Sequence, residues 1–150
     1  QFNPGLFECL GPTRCRYTSM TRGRFPYIGV SLGRRGAIPE VPTTLPTIDE
    51  LMRRERVDED EVHGYLYAES QHLVPAGHVF TLSAEREGLR RLALLEKLLV
   101  MWRGQDGAVR ALGDLLAEVE TRSLPHHRIG WAEPAGTARA VATQSIEVPA

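Results

Sequence analysis

Cysteine is nearly absent: Cys9 and Cys15 are the two in the chain. Two thiols cannot staple a protein of 150 residues, and a chain of that length does not need them. The five residues between them miss the roughly two to four of zinc knuckles, and no second pair exists. His63, His72 and His78 are scattered, and His126-His127 could complete a ligand set only through the fold. No metal is expected. Lysine is rarer still, with Lys97 alone beside 17 arginines, a bias that reflects genome composition more than chemistry. No run of about 18 apolar residues occurs, which excludes a membrane span; the longest candidate, Leu92–Trp102, is broken by Glu96 and Lys97. Gln1–Leu10 shows no basic leader followed by an apolar run. With the sparse cysteine, this gives the expectation of a reducing, cytoplasmic location. A phosphate loop, a dinucleotide glycine fingerprint and an internal repeat are all missing, so no cofactor is expected.

What is present suits one packed domain: 42% hydrophobic and 25% charged residues. The net charge of −1 hides an asymmetry. Residues 1–40 carry six arginines against Glu8 and Glu40, and residues 41–70 carry three against eight acids. A basic arm therefore precedes an acidic block.

Turn formers crowd residues 1–46, from Pro4 and Gly5 to Pro42 and Pro46, and exclude helix over most of it. This is an extended, Gly/Pro/Arg-rich segment with short strands expected at Leu6–Leu10, Arg14–Ser19 and Tyr27–Leu32. Thr47-Ile48-Asp49-Glu50 is a capping box, and it predicts a helix from Ile48 to about Arg56 with Ile48, Leu51 and Met52 inward. Asp58-Glu59-Asp60-Glu61 repeats the signal, with Asp58 as N-cap and Glu61 reaching back. A second helix is expected to about Ala68, turning Val62, Tyr65 and Leu66 inward. His72–Ser83 alternates around Pro75-Ala76-Gly77, which predicts strands Leu73–Val74 and His78–Leu82. Ser83 then caps a long helix, Ala84–Arg103, striped by Leu89, Leu92, Leu95, Leu98, Leu99 and Trp102. After Gly104-Gln105-Asp106-Gly107, a helix over Ala108–Thr121 is expected to fold back as an antiparallel hairpin. Residues 123–150 form a tail to which Trp131 and Val141–Val148 add at most a strand.

Two capped helices joined by a short turn, with Ile48, Leu51, Val57, Val62 and Leu66 between them, have helix-turn-helix spacing. A strand pair follows where a wing belongs. Residues 47–122 here resemble the MerR-like winged-helix family, through Thr47-Ile48-Asp49-Glu50-Leu51 and Leu82-Ser83-Ala84-Glu85. Leu89-Arg90-Arg91-Leu92 and Leu112-Gly113-Asp114-Leu115-Leu116-Ala117-Glu118-Val119 are similar to its J-domain chaperone-modulator branch. The resemblance implies an α+β fold, a winged-helix-like centre followed by a helical hairpin, and a non-enzymatic regulator that binds a co-chaperone's J-domain. The chain departs from the family's pattern at Arg56, where glycine is favoured, at Met52, where a small residue is, and at Phe80-Thr81-Leu82, where a wing arginine belongs.

Where DNA-binding members place basic contacts, this chain has Asp58, Glu59, Asp60, Glu61, His63 and Gly64. Each carboxylate brought near phosphate costs on the order of 1 kcal/mol instead of gaining it. Asp58, Glu59, Asp60, Glu61 and His63 are therefore expected to meet a protein partner with a basic surface, and the surplus leucines of the hairpin to form a homodimer seam. A DNA-binding regulator is the alternative, using Arg14, Arg16, Arg22, Arg24, Arg34 and Arg35 interleaved with Tyr17, Phe25 and Tyr27. A remoter one is a serine hydrolase at Ser31, from the Gly29-Val30-Ser31-Leu32-Gly33 match to G-x-S-x-G.

Overall fold

The computed structural model describes residues 9–10 and 14–149. It is a mixed α+β protein in which a helical unit is inserted between the strands of one sheet. Strands β1 (Ile28–Ser31) and β2 (Arg34–Arg35) form a hairpin. Leu32 and Gly33, both at positive φ, supply its tight turn. β1 runs parallel to β3 (His126–Ala132), which pairs antiparallel with β4 (Val141–Val148), giving the order β2-β1-β3-β4. The connection from β2 to β3 carries helices α1 (Ile48–Glu55), α2 (Glu59–Ser70), α3 (Leu92–Arg103) and α4 (Leu112–Glu118).

The capping box at α1 forms as its sequence dictates: the Thr47 hydroxyl accepts from the Glu50 amide, and the Glu50 carboxylate accepts from the Thr47 amide at 2.8 Å. Arg56 ends α1 in the left-handed region, φ 57°, where a non-glycine residue costs roughly 1–2 kcal/mol. That bend turns Val57 back onto the core. Asp58 does cap α2, but through its carbonyl, which accepts from Glu61 and Val62; its side chain makes no cap bond. Leu45, Ile48, Leu51, Val62, Leu66, Leu94, Leu98 and Trp102 close one core, with Val57 and Phe80 packed against it. The core between α1 and α2 thus takes in the apolar positions that helical spacing picked out, except that Tyr65 is 44% exposed and Tyr67 packs in its place.

Four expectations fail. The wing is not built: residues 73–82 contain no strand, although Gly77 makes the expected turn by donating to the Val74 carbonyl. The segment is pinned instead to residues 44–45, whose amides both donate to the Val79 carbonyl. The long helix is not continuous either. Ser83 caps it, accepting from the Arg86 amide at 3.4 Å, but a π turn spans Arg86–Arg90 and Arg91 breaks the path at φ −118°, ψ 30°. The physical cause is Glu87, drawn inward so that its carboxylate accepts from the Ser83 amide at 2.6 Å and faces Arg91 at 3.4 Å. The break re-phases the stripe. Leu94, Leu98 and Trp102 are buried, while Leu89 is 76% exposed. The hairpin's second helix shrinks to Leu112–Glu118 and stands off α3 across an open groove rather than packing along it. Finally, the tail contributes two full strands, not one.

Of the expected N-terminal strands, the one at 27–32 forms, residues 14–19 hold only a bridge from Thr18 to Glu40, and Leu6–Leu10 lies mainly outside the described residues. Tyr27, Ile129 and Ala142 form the second, smaller core. Around it the polar groups are tightly paired. Buried Glu40 accepts from the amides of Met20 (2.5 Å) and Thr21 (2.8 Å) and from the hydroxyls of Thr18 and Thr21. Tyr27 shares a 2.8 Å hydrogen bond with the Thr21 hydroxyl. The β3–β4 loop docks on α1 at Gly136 (φ 87°), where a Cβ would collide with the Glu50 carbonyl and whose own carbonyl accepts from Arg53.

Candidate functional site

Asp58, Glu59, Asp60 and Glu61 are all exposed at the start of α2, and His63 is half-buried one turn on. An ion-pair cluster flanks and includes them, half-buried at Arg91 and exposed at Arg86 and Glu59. The Arg91 guanidinium donates to Glu59 (2.8 Å) and Asp49 (2.7 Å) and faces Glu87, while Arg86 pairs with Asp49. Two guanidiniums serving three carboxylates leave this end of the helical unit negative. Acids in the first turn also suit the dipole of α2.

The arginines of the arm are not brought to one use. Arg22 is structural: it donates to the Leu45 carbonyl and to Glu50 at 2.6 Å, tying the arm to the capping box of α1. Arg16 lies over Gly113. Arg34 and Arg35 make up β2, and Arg14 and Arg24 are exposed. Ser31 ends β1 and leads into the β1–β2 turn. A nucleophile elbow needs a strand-to-helix turn, so the serine lacks the setting in which that motif acts. Cys9 and Cys15 are exposed and not joined in a disulfide. Among the described residues no three His, Cys, Asp or Glu gather as metal ligands.

Two cavities lie on either side of a wall that sequence reasoning did not anticipate. The wall is two extended segments, residues 43–47 and 79–82, joined by the Thr44–Val79 hydrogen bonds. Phe80, Thr81 and Leu82 alternate, as extended backbone requires, whereas Leu45 sits at a bend that turns it away from Thr43 and Thr47. Leu45, Phe80 and Leu82 face a groove of ≈ 670 Å³ whose far walls are α3 and residues 107–118. Thr43, Thr47 and Thr81 face the other way, into a smaller cavity of ≈ 240 Å³. There they meet Ser19, Thr21, Trp131 and two arginines, Arg22 and Arg139. The signal for this was legible only as a hydroxyl-rich run, Thr43-Thr44-x-x-Thr47, because its partners come from positions 19–22, 81 and 131–142. Near the mouth of the larger groove, Arg110 and Glu118 form a two-bond pair at 2.8 and 2.9 Å. That hydrogen bonding, and then the opposite charge, holds the Glu118 carboxyl below its ordinary value.

The fold therefore defines an α+β protein with an apolar groove and a hydroxyl- and guanidinium-lined cavity back to back. No family model matches the chain. Over 87 residues it is 37% identical to the probable 4-deoxy-4-formamido-L-arabinose-phosphoundecaprenol deformylase ArnD of Shewanella sediminis (strain HAW-EB3), a match that covers 57% of this chain and 26% of that protein. The chain thus spans about a quarter of the length of the curated relative it matches. That relative is named as an enzyme, which weighs against the non-enzymatic expectation. No helix of the described residues is long and apolar enough to cross a membrane.

Proposed function

We propose that this chain builds the substrate-holding part of a deformylase-like amide hydrolase acting on a formamido sugar carried on a polyprenyl phosphate. The observation that carries the reading is the 37% identity over 87 residues to a protein named for that chemistry. The smaller cavity supports it. Removing a formyl group adds water across an amide C–N bond, and such an enzyme must first fix the sugar. Hydroxyl donors and acceptors from Ser19, Thr43 and Thr81 suit the ring oxygens of a pentose, the indole of Trp131 offers a flat apolar face, and the Arg139 guanidinium suits a phosphate. The test is calorimetric titration of the full chain with 4-deoxy-4-formamido-L-arabinose 1-phosphate. Saturable binding, weakened about tenfold by Arg139→Ala, is expected; no heat of binding would overturn the reading.

A second reading keeps the resemblance over α1 and α2, without the wing, and its cytoplasmic, J-domain-binding regulator. It is favoured by the exposure of Asp58, Asp60 and Glu61 at the start of α2, beside Glu59, which pairs with Arg91, on the closed core of α1 and α2. It expects a purified J-domain to bind the chain and the double reversal Asp60→Lys, Glu61→Lys to abolish that binding without unfolding α2. Unchanged binding would remove the acidic helix start from consideration.

A further inference from the structure

The larger groove differs from the smaller cavity in what it withholds. Its apolar walls come from Phe80 on one side, Leu95, Leu99 and Trp102 on α3, and Leu112 and Leu115 on α4. The polar groups around it are already engaged within the protein. The Trp102 indole N–H donates to the Ser70 hydroxyl at 2.9 Å. His78 uses both ring nitrogens, one on the Thr44 hydroxyl and one on the His72 carbonyl. Gln105 accepts from Gln71 at 2.6 Å, and Arg110 and Glu118 satisfy each other.

A polar ligand, or a peptide with its own backbone donors and acceptors, would lose hydration in this groove and find few partners in return. A hydrocarbon chain forfeits nothing, and gains roughly 25 cal/mol for each Å² of apolar surface removed from water. The volume of ≈ 670 Å³ is in the range of small-molecule sites. The groove also opens outward past Leu82 and Val109, both about half exposed, so a long chain could enter at one end and trail away. Residues 43–47 and 79–82 separate it from the cavity assigned to the sugar by one layer of backbone.

We infer that this groove binds the isoprenoid chain of a polyprenyl phosphate, with Leu99 and Leu112 as its facing walls. The inference rests on the reading of the chain as acting on a polyprenyl-linked sugar, since that reading is what selects an isoprenoid among apolar chains. It is tested by titrating the full chain, as the Trp131→Phe variant, with farnesyl monophosphate. Trp102 is then the sole indole, and it lines the groove. A saturable blue shift of its emission is expected, with Leu99→Glu and Leu112→Glu each raising Kd at least about tenfold while far-ultraviolet circular dichroism stays unchanged.

No saturable shift would overturn the inference, as would binding indifferent to both variants, or dodecyl monophosphate binding as tightly as farnesyl monophosphate. A dimer in light scattering that dissociates in Leu99→Glu would also overturn it, by making a second copy the occupant. The sugar phosphate titration fails or succeeds independently, because it reads the other cavity. Binding of farnesyl monophosphate without binding of the sugar phosphate would sink the hydrolase reading and leave an isoprenoid site standing.

Discussion

The helical unit and the sheet solve the same problem with different materials. Between α1, α2 and α3 the contact is almost wholly apolar, with Leu45, Ile48, Leu51, Val62, Leu66, Leu94, Leu98 and Trp102 in one cluster. Its polar groups, the Arg91 network included, sit at the margin. Around β1, β3 and β4, among the described residues, Tyr27, Ile129 and Ala142 are packed this way, with Met20 against them. What folds the arm on itself is a buried carboxylate, Glu40, answering two amides and two hydroxyls, and the arm joins β4 where the Arg22 amide donates to Ala142 and its carbonyl accepts from Gln144. A region built on leucine tolerates imprecise partners, because apolar attraction has no direction. One built on a buried carboxylate does not, since each donor left unpaired keeps its full desolvation cost.

The largest effect that can break this comparison is expected from Leu98→Ala. Leu98 is fully buried at the centre of the helical core, and emptying such a site costs roughly 2–5 kcal/mol. Urea unfolding should show nearly the same loss at low and at high ionic strength. A loss that changed steeply with salt would mean that the Arg91 network, which salt screens, rather than packing, holds the helices. Glu40→Ala should come next, at about 2 kcal/mol, from four donors stripped of their acceptor. Amide exchange should then accelerate at Met20 and Thr21, while amides of α2 keep their protection. Equal acceleration in both regions would show that the two halves unfold as one unit and that their different construction has no separate consequence.

The same contrast governs how much could be read from the amino-acid order. Helical spacing and the Thr47 capping box are local, so α1, α2 and the core between them follow from residues a few positions apart. Glu87 defeats the simple extension of that logic. Its capture of the Ser83 amide replaces a regular first turn with a π turn, and no spacing rule anticipates that. β3 is harder still: His126-His127-Arg128-Ile129-Gly130 carries little strand propensity. It is a strand because β1 and β4 lie on either side, and ordinary alternation along it turns both His127 and Ile129 inward. His127 packs edge-on against Phe25 and Tyr27 and bonds the Ser145 carbonyl at 2.7 Å, partners 100 and more residues away in the first two cases. The candidate cavities were illegible for that reason. Each is lined from four or more separate stretches, and the bend at Leu45 and the alternation of residues 80–82 decide which residue faces which cavity.

Tyr27 gives the finest test of the contrast, because it asks the sheet's polar core to respond to pH where the leucine core should not. Burial raises the phenol above its ordinary value; the negative charge of Glu40 raises it further, and the hydrogen bond to Thr21 opposes both. The folded protein therefore keeps the Tyr27 proton at pH values where the unfolded chain, with a phenol near its ordinary value of about 10, has released it. By linkage this contribution to stability is fully present below pH of about 10 and is lost as pH rises from there toward the folded value. Tyr27→Phe removes the hydrogen bond with Thr21, a cost of about 1 kcal/mol at neutral pH, and removes the titration with it. The stability curves of wild type and variant should run apart at pH 7 and converge as pH climbs past 10. With Trp102 in the helical core and Trp131 on β3, single-tryptophan versions read the two halves separately, and the convergence should appear first at Trp131. Curves that stay parallel to pH 11 would mean that the phenol is not held by its surroundings, and the sheet's dependence on buried polar pairing would then rest on Glu40 alone.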